Sequence, residues 1–176
     1  MLFRERRTDR LDPRRFRDDR VPYVTSLVDG RWETRLAPSA ELAAELLVEL
    51  VRHMGTHVSV MVDDHRANVR WQRRDVPVAD IRDALVRLRP TLARFGGVGF
   101  LLEGDGDRLA LTPLLGLEIS ARTDRWRFLL DGEGLVAREI VPAKAWRKPG
   151  RAWDPVPELS VAVAEVVTRL GLGPPG

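Results

Sequence analysis

The strongest structural signal in the sequence is an apolar seam near its centre. Its members are three and four residues apart, so they fall on one side of an α-helix. Pro77 precedes the seam, where its missing N–H costs nothing, whereas Pro90 predicts a kink or a break at Arg89. The same spacing predicts further helices after Ser39 and after Asp154. The seam consists of Val78, Ile81, Leu85, Leu88, Leu92 and Phe95.

Segments with the alternation of β-strands separate these helices. Residues 21–36 predict a hairpin about Asp29–Gly30, and residues 56–75 predict a second hairpin. Residues 98–141 predict a meander of four or five strands. Its strands are predicted over residues 100–102, 109–111, 115–119, 125–130 and 135–140.

The predicted turns share one pattern, an apolar pair followed by an acidic residue and glycine. The pattern occurs at Leu27–Gly30, Leu101–Gly104 and Leu129–Gly132. Adjacent hairpins favour an antiparallel sheet. The predicted fold class is therefore α+β: a mainly antiparallel sheet built from hairpins and a meander, with about three helices packed on one face. Small secretion-chaperone-like and adaptor domains share this layout, which is an analogy of fold and not of function.

Length and charge favour one domain with a basic arm. A chain of 176 residues with 44% hydrophobic and 31% charged residues is typical of a single globular domain. Residues 1–20 carry eight arginines and five acidic residues, whereas the remainder carries 21 basic and 21 acidic residues. This charge balance lowers the expectation of a dedicated nucleic-acid surface. We predict a basic, flexible N-terminal arm over residues 1–20, a single α+β domain over 21–172 and a C-terminal tail over 173–176.

The composition also bears on the cellular setting. The sequence contains no run of 18 apolar residues, and its first residues lack the apolar region of a secretory signal. The absence of cysteine excludes disulfides, thiol catalysis and cysteine metal sites. These features predict a cytoplasmic, arginine-rich protein without a membrane partner.

Motifs for catalysis and cofactor binding are weak. Gly96–Gly99 lacks the dinucleotide-binding spacing and leads into a predicted strand, and Glu103–Asp107 fits a turn better than a calcium loop. No serine has the context of a nucleophile elbow. We therefore predict no catalytic residue, no cofactor and no metal. The residues that could form a metal site or an acid–base site after folding are His53, His57, His65, Asp63, Asp64 and Glu103.

The tryptophan- and arginine-rich segment Lys144–Trp153 is the best candidate for a binding site. Arginine and tryptophan are the residues that most often anchor interfaces, and arginine also stacks on bases. Three interpretations stay open: a structural latch, a protein interface and a nucleic-acid contact. A second basic run, Arg66 to Arg74 around Trp71, extends the surface if the strands align. The predicted partner-binding residues are Lys144, Trp146, Arg147, Lys148, Arg151 and Trp153.

The function predicted from these observations is non-catalytic. The chain is expected to act as a cytosolic adaptor, chaperone-like or regulatory protein that binds a macromolecular partner, most readily a protein, through this segment. One alternative is a nucleic-acid-binding protein that uses the same segment and the arm, and a second is a hydrolase based on carboxylates and histidine. A homodimer is also compatible with the apolar seam and the sheet.

Overall fold

The described structure is an α+β fold with one large sheet. A computed structural model describes residues 21–139 and 153–175, which form eight strands and four helices. The predicted N-terminal arm lies outside the described residues. The strands are β1 (Pro22–Val28), β2 (Arg31–Leu36), β3 (His57–Asp64), β4 (Val69–Pro77), β5 (Val98–Gly104), β6 (Asp107–Leu111), β7 (Leu117–Ala121) and β8 (Val136–Ala137). The helices are α1 (Ala40–Val51), α2 (Val78–Phe95), α3 (Arg125–Gly132) and α4 (Pro157–Leu170).

The sheet places one hairpin at each side of a central meander. Its strand order is β4-β3-β5-β6-β7-β2-β1-β8, and every neighbouring pair is antiparallel except β1 and β8. Asp29 and Gly30 have φ angles of 49° and 78°, which a two-residue I′ turn requires. The predicted hairpins β1–β2 and β3–β4 are confirmed. The turn between β5 and β6 lies at Asp105–Gly106, two residues later than the predicted Glu103–Gly104, which belongs to β5.

One face of the sheet is buried under the helices. The cross-strand row Val60, Leu102 and Leu109 is at most 2% exposed, whereas the neighbouring row on the other face, which includes Met61 and Leu101, is partly exposed. Helix α2 contacts both α1 and α4. No helix within residues 21–139 and 153–175 combines the length and apolar composition needed to cross a membrane.

The central seam folds as the spacing predicts. Val78, Ile81, Leu85, Leu88 and Leu92 are buried in α2, and Phe95 packs partly against the core. Of the two outcomes predicted at Pro90, the break at Arg89 does not occur, because α2 continues through Pro90 as one element, and the kink stays a prediction. Pro90 is exposed, so its ring lies on the side of the helix away from the core.

The strand predicted over residues 125–130 is wrong, because this segment forms α3. Trp126 and Leu130, four residues apart, are both buried, while Phe128 is 71% exposed. A strand would have placed Phe128 on the same side as the other two. Asp131–Gly132, predicted as a turn, ends the helix, and the strand predicted over 135–140 is reduced to the two residues of β8. The described helices therefore number four rather than about three.

Tyr23 joins β1 to α3. Its side chain is fully buried, and its hydroxyl donates a hydrogen bond of 2.7 Å to Asp131 Oδ1. Burial in the first place, and then this hydrogen bond, raise the pKa of Tyr23 to about 12. The contact fixes α3 over the part of the sheet that ends in β8.

Tyr23→Phe is expected to lower the free energy of unfolding by about 1 kcal/mol at neutral pH, because the buried hydrogen bond is lost. Since the folded-state pKa of Tyr23 lies above the unfolded value of 10.0, its contribution is present below pH 10 and disappears as the pH rises towards 12. Denaturant titrations at neutral pH and at about pH 11 should show a smaller alkaline loss for the variant than for the wild type. An equal decrease in the free energy of unfolding of the two proteins between neutral pH and about pH 11 would contradict this linkage.

Candidate protein-binding site

The turn between β3 and β4 is built around a buried aspartate. Asp64 is 2% exposed, and its Oδ1 accepts hydrogen bonds from the backbone N–H groups of Arg66 at 2.8 Å and Ala67 at 3.1 Å. Aspartate commonly closes turns in this way. His65 N–H also donates to Gly97 O at 3.0 Å, so the turn is tied to the segment that leads from α2 into β5. The direction of the Arg66 side chain follows from this fixed backbone.

The guanidinium of Arg66 binds the C-terminal end of α2. Its Nε donates to Gly96 O at 3.0 Å, its Nη2 donates to Phe95 O at 2.7 Å, and its Nη1 donates to Asp154 O. A cation at this position is favoured by the unpaired carbonyl groups and the dipole of the helix end. Gly97 provides the necessary space, since a Cβ at that residue would lie 2.5 Å from Arg66 Nε. Burial lowers the pKa of Arg66, and the nearby Asp64 and Asp154 act in the opposite direction.

Trp153 is the described member of the predicted partner-binding set. The guanidinium carbon of Arg66 lies 4.9 Å from the centre of its ring, a cation–π contact, and Trp153 is half-buried. We call this group, which comprises Arg66, Trp153 and Asp154 with the carbonyls of Phe95 and Gly96, the Arg66 corner. The contact fixes one end of the tryptophan- and arginine-rich segment against the fold. The other predicted residues lie outside the described structure: Lys144, Trp146, Arg147, Lys148 and Arg151.

The described residues on either side of residues 140–152 lie at the same end of the sheet. On one side the chain leaves β8, where Ala137 pairs with Tyr23, and on the other side it re-enters at Trp153 beside the β3–β4 turn. Tyr23 belongs to the cross-strand row that reaches β3 at Val62, two residues before β3 ends at Asp64, and continues to Trp71 of β4. Six strand spacings separate β8 from β3, about 30 Å. The described residues that flank residues 140–152 therefore lie near opposite edges of the sheet.

The second basic run does not form one continuous cationic surface. Arg66 is held by three carbonyl groups, and Arg70 forms a salt bridge with Asp63. Trp71 packs partly against the core, and Arg73 Nη1 donates to Leu170 O at 2.7 Å. The run is thus divided between structural contacts and the exposed edge of β4.

A second polar centre, which sequence reasoning did not identify, surrounds Asp107. This residue is 4% exposed, and its Oδ2 accepts from Arg125 Nε at 2.9 Å, from Arg125 Nη2 at 2.7 Å and from Trp126 Nε1 at 2.9 Å. Its Oδ1 accepts from Arg122 N–H at 3.3 Å. These donors occupy the carboxylate and join β6 to the start of α3. The arrangement stabilises the fold and does not favour an acid–base role for Asp107.

The histidines do not converge. His53 Nε2 accepts from Arg52 Nε at 3.0 Å, and burial, followed by the charge of Arg52, lowers the pKa of His53. His57 is exposed at the start of β3, and His65 Nε2 lies 3.7 Å from Asp63 Oδ2. Glu103 pairs with Arg108. In the part of the chain that the structure describes, no three histidine or carboxylate residues form a group that could hold a metal ion.

Comparison of the chain with protein-family models, curated proteins and solved structures finds no match.

Proposed function

We propose that the chain is a non-catalytic protein, of adaptor, chaperone-like or regulatory type, that binds a protein partner at the end of the sheet marked by the Arg66 corner. The observation that carries the proposal is the contact of Arg66 with Trp153. It holds a half-buried indole of the predicted binding segment at a fixed place beside the C-terminal end of α2. Tryptophan and arginine in such rigid, partly desolvated positions are the usual anchors of protein interfaces.

The charges around the corner favour a protein over a nucleic acid. Among the described residues, the cations nearest the corner are already engaged, because Arg66 binds backbone carbonyls and Arg70 pairs with Asp63. Phosphate recognition depends on cations that can exchange counterions for the backbone. Within residues 21–139 and 153–175, this corner offers a partner an aromatic ring and carbonyl groups rather than a row of unpaired charges.

The acid–base alternative receives little support from the described carboxylates. Asp64 and Asp107 are buried, and Asp64 Oδ1 and both carboxylate oxygens of Asp107 accept hydrogen bonds from structural donors. Asp63 and His65 are close to each other but lie on an exposed hairpin, where Asp63 also pairs with Arg70. A binding function thus agrees better with the geometry than hydrolysis does.

Site-specific photo-cross-linking tests the proposal. Benzoylphenylalanine in place of Trp153 keeps an aromatic ring at the corner, and the same amino acid in place of Val161 provides a control on an exposed position of α4. In extract of the native cell, we expect a discrete, nuclease-resistant protein adduct from position 153 and none from position 161. Equal adducts from both positions, or no adduct from either, would contradict the proposal.

A nuclease-sensitive adduct would instead support the nucleic-acid alternative. Filter binding of single-stranded nucleic acid at low and high salt then provides an independent measurement, because phosphate contacts weaken steeply with salt. An adduct with a second copy of the chain would identify a homodimer.

A further inference from the structure

The outer edge of β4 is already used once for strand pairing. Among the described residues, β3 is the only strand beside β4, and the opposite edge pairs at a single point with the C-terminal tail. Gln72 N–H donates to Gly173 O at 2.7 Å, and Gly173 N–H donates to Gln72 O at 3.1 Å. These two bonds form an antiparallel bridge, so the backbone of β4 at Gln72 has the geometry that a further strand requires.

The tail does not extend this ladder. Pro174 and Pro175 follow Gly173 and have no N–H group to donate, so pairing stops after one bridge. A Cβ built on Gly173 meets no atom within 4 Å, which shows that a residue with a side chain fits opposite Gln72. A partner strand with ordinary side chains could therefore take the place of the tail and pair over a longer stretch.

The side chains of this edge select an acidic partner. Arg70, Arg73 and Arg74 are exposed, against a single acidic residue of β4, Asp75. Arg70 also pairs with Asp63 of β3, and Arg73 Nη1 donates to Leu170 O, so Arg74 is the arginine of this edge that is most available to a partner. Arg74 forms no hydrogen bond or ion pair with any other residue that the structure describes. If the β4 strands of two copies of the chain paired antiparallel with Gln72 opposite Gln72, Arg70 of each copy would lie opposite Arg74 of the other. Directly opposed like charges are unfavourable. Acidic residues at alternate positions of an extended peptide would face these same arginines.

We propose that the edge of β4 binds an extended acidic peptide segment by antiparallel strand addition, in competition with the tail bridge between Gly173 and Gln72. The main-chain bonds would supply pairing, and Arg74 would supply most of the preference for acidic side chains, with a smaller contribution from Arg70, which a peptide would share with Asp63. This surface is separate from the Arg66 corner, and the inference does not depend on the function proposed above.

Fluorescence anisotropy tests the proposal with a labelled peptide as long as β4, in which glutamate and threonine alternate. The matched control replaces each glutamate by lysine. Full-length protein should bind the acidic peptide and not the basic one, and amide resonances of Arg70, Gln72 and Arg74 should shift on binding. A variant that ends at Leu172 lacks the competing bridge and should bind about tenfold more tightly.

Charge variants separate the edge from a general electrostatic effect. Arg74→Glu should weaken binding about tenfold, whereas Arg87→Glu should leave it unchanged. Arg87 is exposed on α2, has no polar contact with another described residue, and gives the same change of net charge. Equal effects of the two substitutions, equal binding of the basic peptide, or resonance shifts away from β4 would overturn the proposal. Dimerisation of the Leu172-terminated variant without peptide would overturn it in favour of a second copy.

Discussion

Asp107→Ala is expected to lower the free energy of unfolding by about 3 kcal/mol, measured by urea denaturation at neutral pH. The substitution leaves the indole N–H of Trp126 without its acceptor in a side chain that is only 1% exposed. It also removes the carboxylate that pairs with Arg125 through two hydrogen bonds. Because Arg125 is partly exposed, water recovers part of its loss, and the unpaired indole accounts for a large share of the cost.

Glu103→Ala is the matched control for this prediction. Glu103 lies on the neighbouring strand and pairs with Arg108, but both side chains of that pair are more than 40% exposed. Exposed ion pairs contribute between zero and about 1 kcal/mol, so the free energy of unfolding of this variant should be close to that of the wild type. The free energy of unfolding of Asp107→Asn should lie between those of the two alanine variants. Its amide oxygen can accept the hydrogen bond from Trp126, but the amide lacks the negative charge that binds Arg125. If Asp107→Ala and Glu103→Ala have equal free energies of unfolding, Asp107 does not join β6 to α3 in the way described.

The features that could be predicted from sequence are those fixed by near neighbours. The steps of three and four in residues 78–95 specify α2 without reference to the rest of the chain. Asp29–Gly30 specifies the first hairpin because both residues adopt the left-handed conformation that its turn requires. These elements sufficed to predict the α+β class and the antiparallel sheet.

The errors arise where a distant residue decides between two local readings. Trp126 and Leu130 fit both a strand with alternating faces and a helix with a four-residue repeat. Helix α3 is stabilised by the bond of Trp126 to Asp107, 19 residues earlier, and by the bond of Asp131 to Tyr23, 108 residues earlier. The pattern of residues 125–130 contains neither partner, so the strand was predicted there.

The candidate site could be predicted only in part for the same reason. The composition of the tryptophan- and arginine-rich segment singled out Trp153, but its contact with Arg66 crosses from the β3–β4 turn to the start of α4. The partners of Arg66 lie 29, 30 and 88 residues away, and no local pattern signals them. The space that Gly97 leaves for Arg66 likewise depends on the folded chain, because the two residues are far apart in sequence.

Arg66→Ala is expected to lower the free energy of unfolding by about 2 kcal/mol and to expose Trp153. The substitution removes three hydrogen bonds from a charged donor to Phe95 O, Gly96 O and Asp154 O, together with the cation–π contact. The bonds to Phe95 O and Gly96 O are partly buried and the bond to Asp154 O is exposed, so water can replace part of what is lost, which keeps the loss below that of Asp107→Ala. Iodide quenching of tryptophan fluorescence should increase, and the increase should be absent when Trp153→Phe is combined with Arg66→Ala.

Two variants make this result specific to the guanidinium. Arg66→Lys keeps the charge, but one ammonium group lacks the planar fork that reaches three carbonyls and stacks on the indole, so it should recover only part of the stability. Arg70→Ala, on the same hairpin, removes an exposed pair with Asp63 and should cost less than about 1 kcal/mol without changing the quenching. Equal stability and equal quenching of Arg66→Ala and Arg70→Ala would show that Arg66 does not fix Trp153. Stability loss without increased quenching would show that Arg66 caps α2 while Trp153 is held by other contacts. In the expected case, the Arg66 corner couples the end of α2 to the binding segment, and weakening that coupling should reduce the cross-link from position 153 in step with the gain in quenching.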